Sequence, residues 1–163
     1  MNRAPASKTS QTSRLSAQLI RRLRLSSGLV MALFVSLHLG NHALGLISID
    51  AMEAARSVHV MLWQNPAGQL LLMVSFVLHF LLALYALYQR STLWMPPWEA
   101  VQLAFGFAIP LMLAGHIVGV QIAPKIIGFD IDYPYVVGAL WSDSWLRIKQ
   151  PLLVVIVWVH VTV

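Results

Sequence analysis

The chain has no cysteine and little charge: 10% of its 163 residues are Asp, Glu, Lys or Arg, and only 6 are acidic. Without cysteine there are no disulfides, no thiolate metal sites and no cysteine nucleophiles. Walker loops, glycine-rich nucleotide cradles and Ser/His/Asp arrangements are also missing, so the chain offers no catalytic residues of its own. With 58% hydrophobic residues and a mean hydropathy of +0.72, it has too few charges to clothe a water-facing surface. The class that remains is an all-α membrane protein.

The net charge of +5 suggests nucleic acid until it is placed along the chain. Arg3, Lys8, Arg14, Arg21, Arg22 and Arg24 all fall in residues 1–24, which hold no Asp or Glu. From Leu25 onward five bases face six acids. The body therefore has no phosphate-binding face, and a nucleic-acid partner is not expected. Residues 1–24 read as a basic cytoplasmic tail, disordered at first and then a surface helix carrying Leu15, Leu19, Ile20 and Leu23. A signal peptide is set aside because the apolar run that follows is longer than a signal core and contains two histidines.

Spanning a bilayer takes ~20 mostly apolar residues. Residues 25–48, 69–90 and 100–123 meet that length, and a fourth run, 151–163, begins at Pro151. Thirteen residues rise only ~20 Å as helix, against a hydrocarbon core of ~30 Å. The expected architecture is an up-down transmembrane four-helix bundle over 25–163, truncated in its fourth helix and belonging to a longer protein. The basic tail beside the first span predicts a cytoplasmic N-terminus in a multi-pass protein. Trp63, Trp94, Trp98, Trp141 and Trp145 fall near span ends, where an aromatic belt sits. Residues 50–64 read as a helix along the outer interface, and Asp130, Asp132, Tyr133 and Tyr135 as a polar-aromatic outer loop. No internal repeat is visible.

Every expected span carries histidine: His38 and His42 in the first, His79 in the second, His116 in the third and His160 in the fourth. Only His59 falls in a loop, an ordinary polar residue there or a contact for a haem propionate or quinone headgroup. Ionisable side chains at membrane depth are costly and usually face a bundle interior. These spans hold almost no acids to partner a proton relay. Imidazole without thiolate or carboxylate neighbours suits haem iron better than structural zinc. His79 lies ~15 Å and His160 ~14 Å into their spans, while His116 lies ~10 Å, His42 ~9 Å and His38 ~15 Å from the outer ends. In an up-down bundle helices one and three are diagonal, as are two and four. His79 with His160, and His116 with His38 or His42, are therefore expected to clamp two b-type haems. Gly40, Gly45, Gly115 and Gly119 lie beside these ligands and are expected to leave room for porphyrin. Gly115 and Gly119 equally fit a helix-packing motif, and Pro110 is expected to kink the third span.

One histidine per consecutive helix resembles the dihaem cytochrome b anchors of succinate dehydrogenase and fumarate reductase. The run G-L-V-M-A-L-F-V-S-L-H, ending at His38, is similar to that family's first ligand segment. The intervals of 41, 37 and 44 residues along His38, His79, His116 and His160 are similar to its spacing. This favours His38, whereas depth favours His42, and both stay candidates.

A closer resemblance is to the cytochrome b-type membrane module at the N-terminus of bacterial class III adenylate cyclases. It is carried by S-L-H-L-G-N-H-A-L-G-L-I-S (36–48), A-M-E-A-A-R (51–56), H-V-M-L-W-Q-N-P-A-G-Q (59–69), L-Y-A-L-Y-Q-R (84–90), M-P-P-W-E-A-V-Q-L (95–103) and V-W-V-H (157–160). The resemblance implies a six-helix anchor in a bacterial inner membrane followed by a cyclase domain beyond Val163, a homodimer formed through that domain, and a quinol as electron donor, oxidised to the quinone. The cyclase's metal-binding carboxylates are missing from these residues, so any such activity belongs to the part beyond them.

Overall fold

A computed structural model describes residues 8–128 and 131–163, with side chains from Leu15 onward. Arg3 of the basic tail and Asp130 of the outer loop lie outside the described residues. The chain is an all-α membrane protein, with four helices long and apolar enough to cross a bilayer. It divides into two units, one up to Ser91 and one from Thr92.

In the first unit α1 runs from Lys8 to Ala43, well before the expected start at residue 25. The reason is local: residues 8–24 contain no Pro or Gly, and their Leu, Gln, Ala and Arg are good helix formers, so nothing stops the apolar helix from extending into the basic segment. After a 3₁₀ turn at Leu44–Leu46 comes α2, Ile49–Trp63, where Ser48 accepts a hydrogen bond from the Ala51 amide at 3.0 Å. The following helix, α3, spans Pro66–Tyr88. Asn65 serves both ends of the α2–α3 turn. Its Oδ1 accepts from the Gly68 amide at 2.9 Å, and its Nδ2 donates to the last carbonyls of α2, Met61 and Leu62. Residues 24 to 34 of α1 meet residues running backward from His79 toward Trp63, so α1 and α3 are antiparallel, with α2 packed beside them.

The second unit opens with α4, Pro97–Ile117, which Pro110 occupies without ending it. A π-helical turn, Val118–Ile122, leads into α5, Ala123–Ile127, and Gly128 closes it at φ +79°, a left-handed conformation that costs glycine nothing. The expected polar-aromatic loop contains a helix, α6, Tyr133–Ser142, because Asp132 caps the Tyr135 amide at 2.9 Å and Pro134 suits a first turn. The fourth span, α7, runs Ser144–Thr162 and starts seven residues before Pro151. Asp143 accepts from the Trp145 amide at 2.7 Å and fixes that start. Pro151 therefore sits inside the helix, and 19 residues of helix reach ~28 Å. Gln102 meets His160 at one level and Gly115 meets Lys149 at another, so α4 and α7 are antiparallel.

Only Met52, Trp63, Leu153 and Ile156 are buried hydrophobic residues among those described, whereas Leu29, Leu33, Met73 and Leu111 are more than half exposed. That distribution suits lipid as solvent, because hydrocarbon does not drive leucine inward as water does. Trp94, Trp98, Trp141 and Trp145 are exposed, as belt residues would be. Trp63 instead packs inward, edge-on to the Phe34 ring at 5.3 Å.

Close approach matters most at Gly68, where a Cβ would collide with the Leu62 carbonyl and the Trp63 backbone. Gly68→Ala is expected to destabilise the α2–α3 corner by roughly 1–3 kcal/mol, the usual cost of overpacking. Thermal unfolding in detergent, beside Gly138→Ala where nothing lies within 4 Å, measures the difference.

Candidate functional site

Two histidines are held by the same arrangement in separate units. In the first, His79 on α3 lies 3.0 Å through Nδ1 from the backbone carbonyl of Arg24 on α1. In the second, His160 on α7 lies 2.9 Å through Nδ1 from the carbonyl of Gln102 on α4, and the Gln102 side-chain amide donates back to the His160 carbonyl at 3.3 Å. A carbonyl only accepts, so each Nδ1 must carry the proton. The lone pair of the neutral imidazole then belongs to Nε2. This is the form in which histidine ligates metal, with its other ring N–H tied to a backbone carbonyl. Interhelical hydrogen bonds of this kind inside membranes average ~0.6 kcal/mol and reach ~1.7.

A different cluster forms where α1 meets α2. His38 and His42, one turn apart on α1, place their Nε2 atoms 3.3 Å apart with the rings perpendicular. Phe34 stacks on His38 with ring centres 5.7 Å apart. His59 of α2 leans against both, 5.3 Å from Phe34 and 5.5 Å from His38. His59 thus belongs to the helix expected over 50–64, and it packs in an aromatic cluster where an ordinary polar residue was expected. Burial lowers its pKa, and the neighbouring His42 lowers it further. Beside the cluster a groove of about 360 Å³ runs between α1 and α2, lined by Leu37, Asn41, Leu44, Val58, His59 and Leu62. Asn41 Oδ1, His59 Nδ1 and Trp63 Nε1 are buried there or nearby without a hydrogen-bond partner.

His116 is half-buried near the end of α4. Next to it, a Cβ on Gly115 would lie 3.1 Å from Nζ of Lys149, a buried side chain of α7. Of the four glycines expected beside the ligands, Gly40 and Gly119 face open space, Gly45 faces Met52 and Gly115 faces Lys149. The glycines that touch histidine are Gly28, against His79, and Gly106, against His160. Sequence reasoning passed over both, because each is marked only by lying four residues after a carbonyl that a histidine reaches across the helix pair. No group of three or more His, Asp or Glu placed to hold a metal ion occurs among the described residues. Haem needs only one or two axial imidazoles.

The His59 shift has a consequence for acid stability. Folded protein keeps this imidazole neutral at pH values where the unfolded chain, near its ordinary 6.5, already binds a proton. Its contribution is therefore complete above that value and is lost as pH falls toward the lowered folded pKa. Unfolding midpoints measured on both sides of pH 6.5 should fall less steeply on acidification in His59→Asn than in the parent. Among known proteins, the chain matches no family model, no curated protein and no solved structure.

Proposed function

We propose that this chain is a haem-binding, b-type cytochrome module of the membrane, which anchors and regulates an adenylate cyclase whose catalytic part lies beyond residue 163. The observation that carries the haem reading is the shared holding of His79 and His160: both sit in spanning helices, and both keep the proton on Nδ1 and the lone pair on Nε2. The donor set fits. Imidazoles in apolar helices, with no cysteine in the chain and almost no acid in the spans, suit haem iron and not a structural metal ion.

His79, His160 and His116 would each present Nε2 to iron, with His38 or His42 completing the set for two haems. Bound haem supplies reversible one-electron exchange between ferric and ferrous iron. The chain's own residues do the rest. The Arg24 and Gln102 carbonyls hold a proton at Nδ1 and fix the ring planes, while Phe34 keeps one face of His38 dry. His38 and His42 share one hydrogen bond through Nε2, so ligation by either requires the other to release it. A quinol bound in the groove between α1 and α2 would lie against Leu37, Asn41, Val58, His59 and Leu62.

The cyclase part of the reading rests on the segments 36–48, 51–56, 59–69, 84–90, 95–103 and 157–160, together with a cytoplasmic N-terminus in a bacterial inner membrane and a dimer formed by the catalytic part. The histidine intervals favour a second reading, an electron-transfer anchor of a succinate dehydrogenase or fumarate reductase. The gene beyond codon 163 separates the two.

A reduced-minus-oxidised spectrum of the purified membrane protein is expected to show a b-type α band, and a featureless spectrum would sink the haem reading. His79→Ala and His160→Ala should each remove a haem by pyridine haemochrome assay. Of His38→Ala and His42→Ala, one should lose haem and the other keep it.

A further inference from the structure

In an α-helix each Cα–Cβ bond leans toward the N-terminus, so the Cβ of residue i+4 covers the flank of the carbonyl of residue i. That carbonyl has two lone pairs, and the helical hydrogen bond uses one. A glycine at i+4 uncovers the second. Arg24 and Gly28 stand in this relation on α1, and Gln102 and Gly106 on α4. In both cases the uncovered carbonyl takes the Nδ1–H of a histidine from the antiparallel helix of the same unit, with sequence separations of 55 and 58 residues. The imidazole occupies the space the missing methyl would fill. A Cβ on Gly28 would lie 3.0 Å from His79 Cε1 and 3.1 Å from Nδ1, and one on Gly106 would lie 2.9 Å from His160 Cε1.

We infer that Gly28 and Gly106 are positioning residues which, with the Arg24 and Gln102 carbonyls, select the Nδ1–H tautomer of His79 and His160 and so designate Nε2 as the ligating atom. The device is a geometric repeat, built once in each unit from unrelated flanking residues. Its metal-directed meaning rests on the haem reading above, but the tautomer itself belongs to the protein without haem. Neither ring can retreat easily from an added methyl, since the carbonyl that anchors it lies on the same wall. Gly106→Ala is the more severe change, because 2.9 Å is closer than real Cβ contacts come. Gly28→Ala leaves slightly more room.

The test is long-range proton–nitrogen correlation on haem-free full chain labelled with ¹⁵N-histidine in lipid nanodiscs, with the two rings assigned by His79→Gln and His160→Gln. In the parent, both rings are expected to carry the proton on Nδ1. Gly28→Ala should turn that tautomer from the dominant to the minor species at His79 alone, and Gly106→Ala should do so at His160 alone. Gly138→Ala, which faces open space, should change neither. In haem-loaded protein the same glycine variants should raise the midpoint potential, because losing an Nδ1–H···O=C bond makes the ligand less basic. Nε2-protonated rings in the parent, or glycine variants that leave both tautomer and potential unchanged, would overturn the inference. Should a variant fail to fold, the parent spectrum still decides. Nδ1-protonated rings in a protein that never binds haem would refute the haem reading and leave the tautomer-setting role standing.

Discussion

One constraint runs through this molecule: an imidazole inside a membrane needs somewhere to put its proton. Water is absent there, carboxylates are nearly so, and an unsatisfied ring N–H costs several kcal/mol in hydrocarbon, on the order of other buried polar groups. The chain answers with the only acceptor a helix always has, its backbone carbonyl, and exposes it by removing a side chain at Gly28 and Gly106. The pairing of α1 with α3 and of α4 with α7 places those carbonyls opposite the histidines. Helix pairing and tautomer thus meet in a single contact.

The cluster at His38, His42 and His59 is handled differently. There the imidazoles meet one another and Phe34, and the contact between the two rings of α1 runs through Nε2. Beside it, Asn41 Oδ1 and His59 Nδ1 are buried polar atoms that the protein itself does not satisfy.

Helix ends matter as much as helix middles here. Asn65 satisfies both sides of the α2–α3 corner and Asp143 sets where α7 begins. A shift of one residue at either start turns every later side chain by a little over a quarter of a helical turn, on the order of 100°. His79, thirteen residues after Pro66, and His160, sixteen after Ser144, would then point away from their carbonyls.

Composition and hydropathy alone determined that this is an all-α membrane protein with three full spans and the start of a fourth, because lipid permits only helices with long apolar runs here. The placement of histidines within those spans was equally legible. Tertiary structure decided what periodicity does not encode: that α7 begins at Ser144, since capping by Asp143 outweighs the proline at 151 as a start signal; that residues 133–142 are helical; and that His59 joins His38. It also decided which glycines matter. Gly40, Gly45, Gly115 and Gly119 stood beside histidines along the chain, whereas Gly28 and Gly106 stand against them across a helix pair, and only packing brings residues 55 or 58 apart into one hydrogen bond.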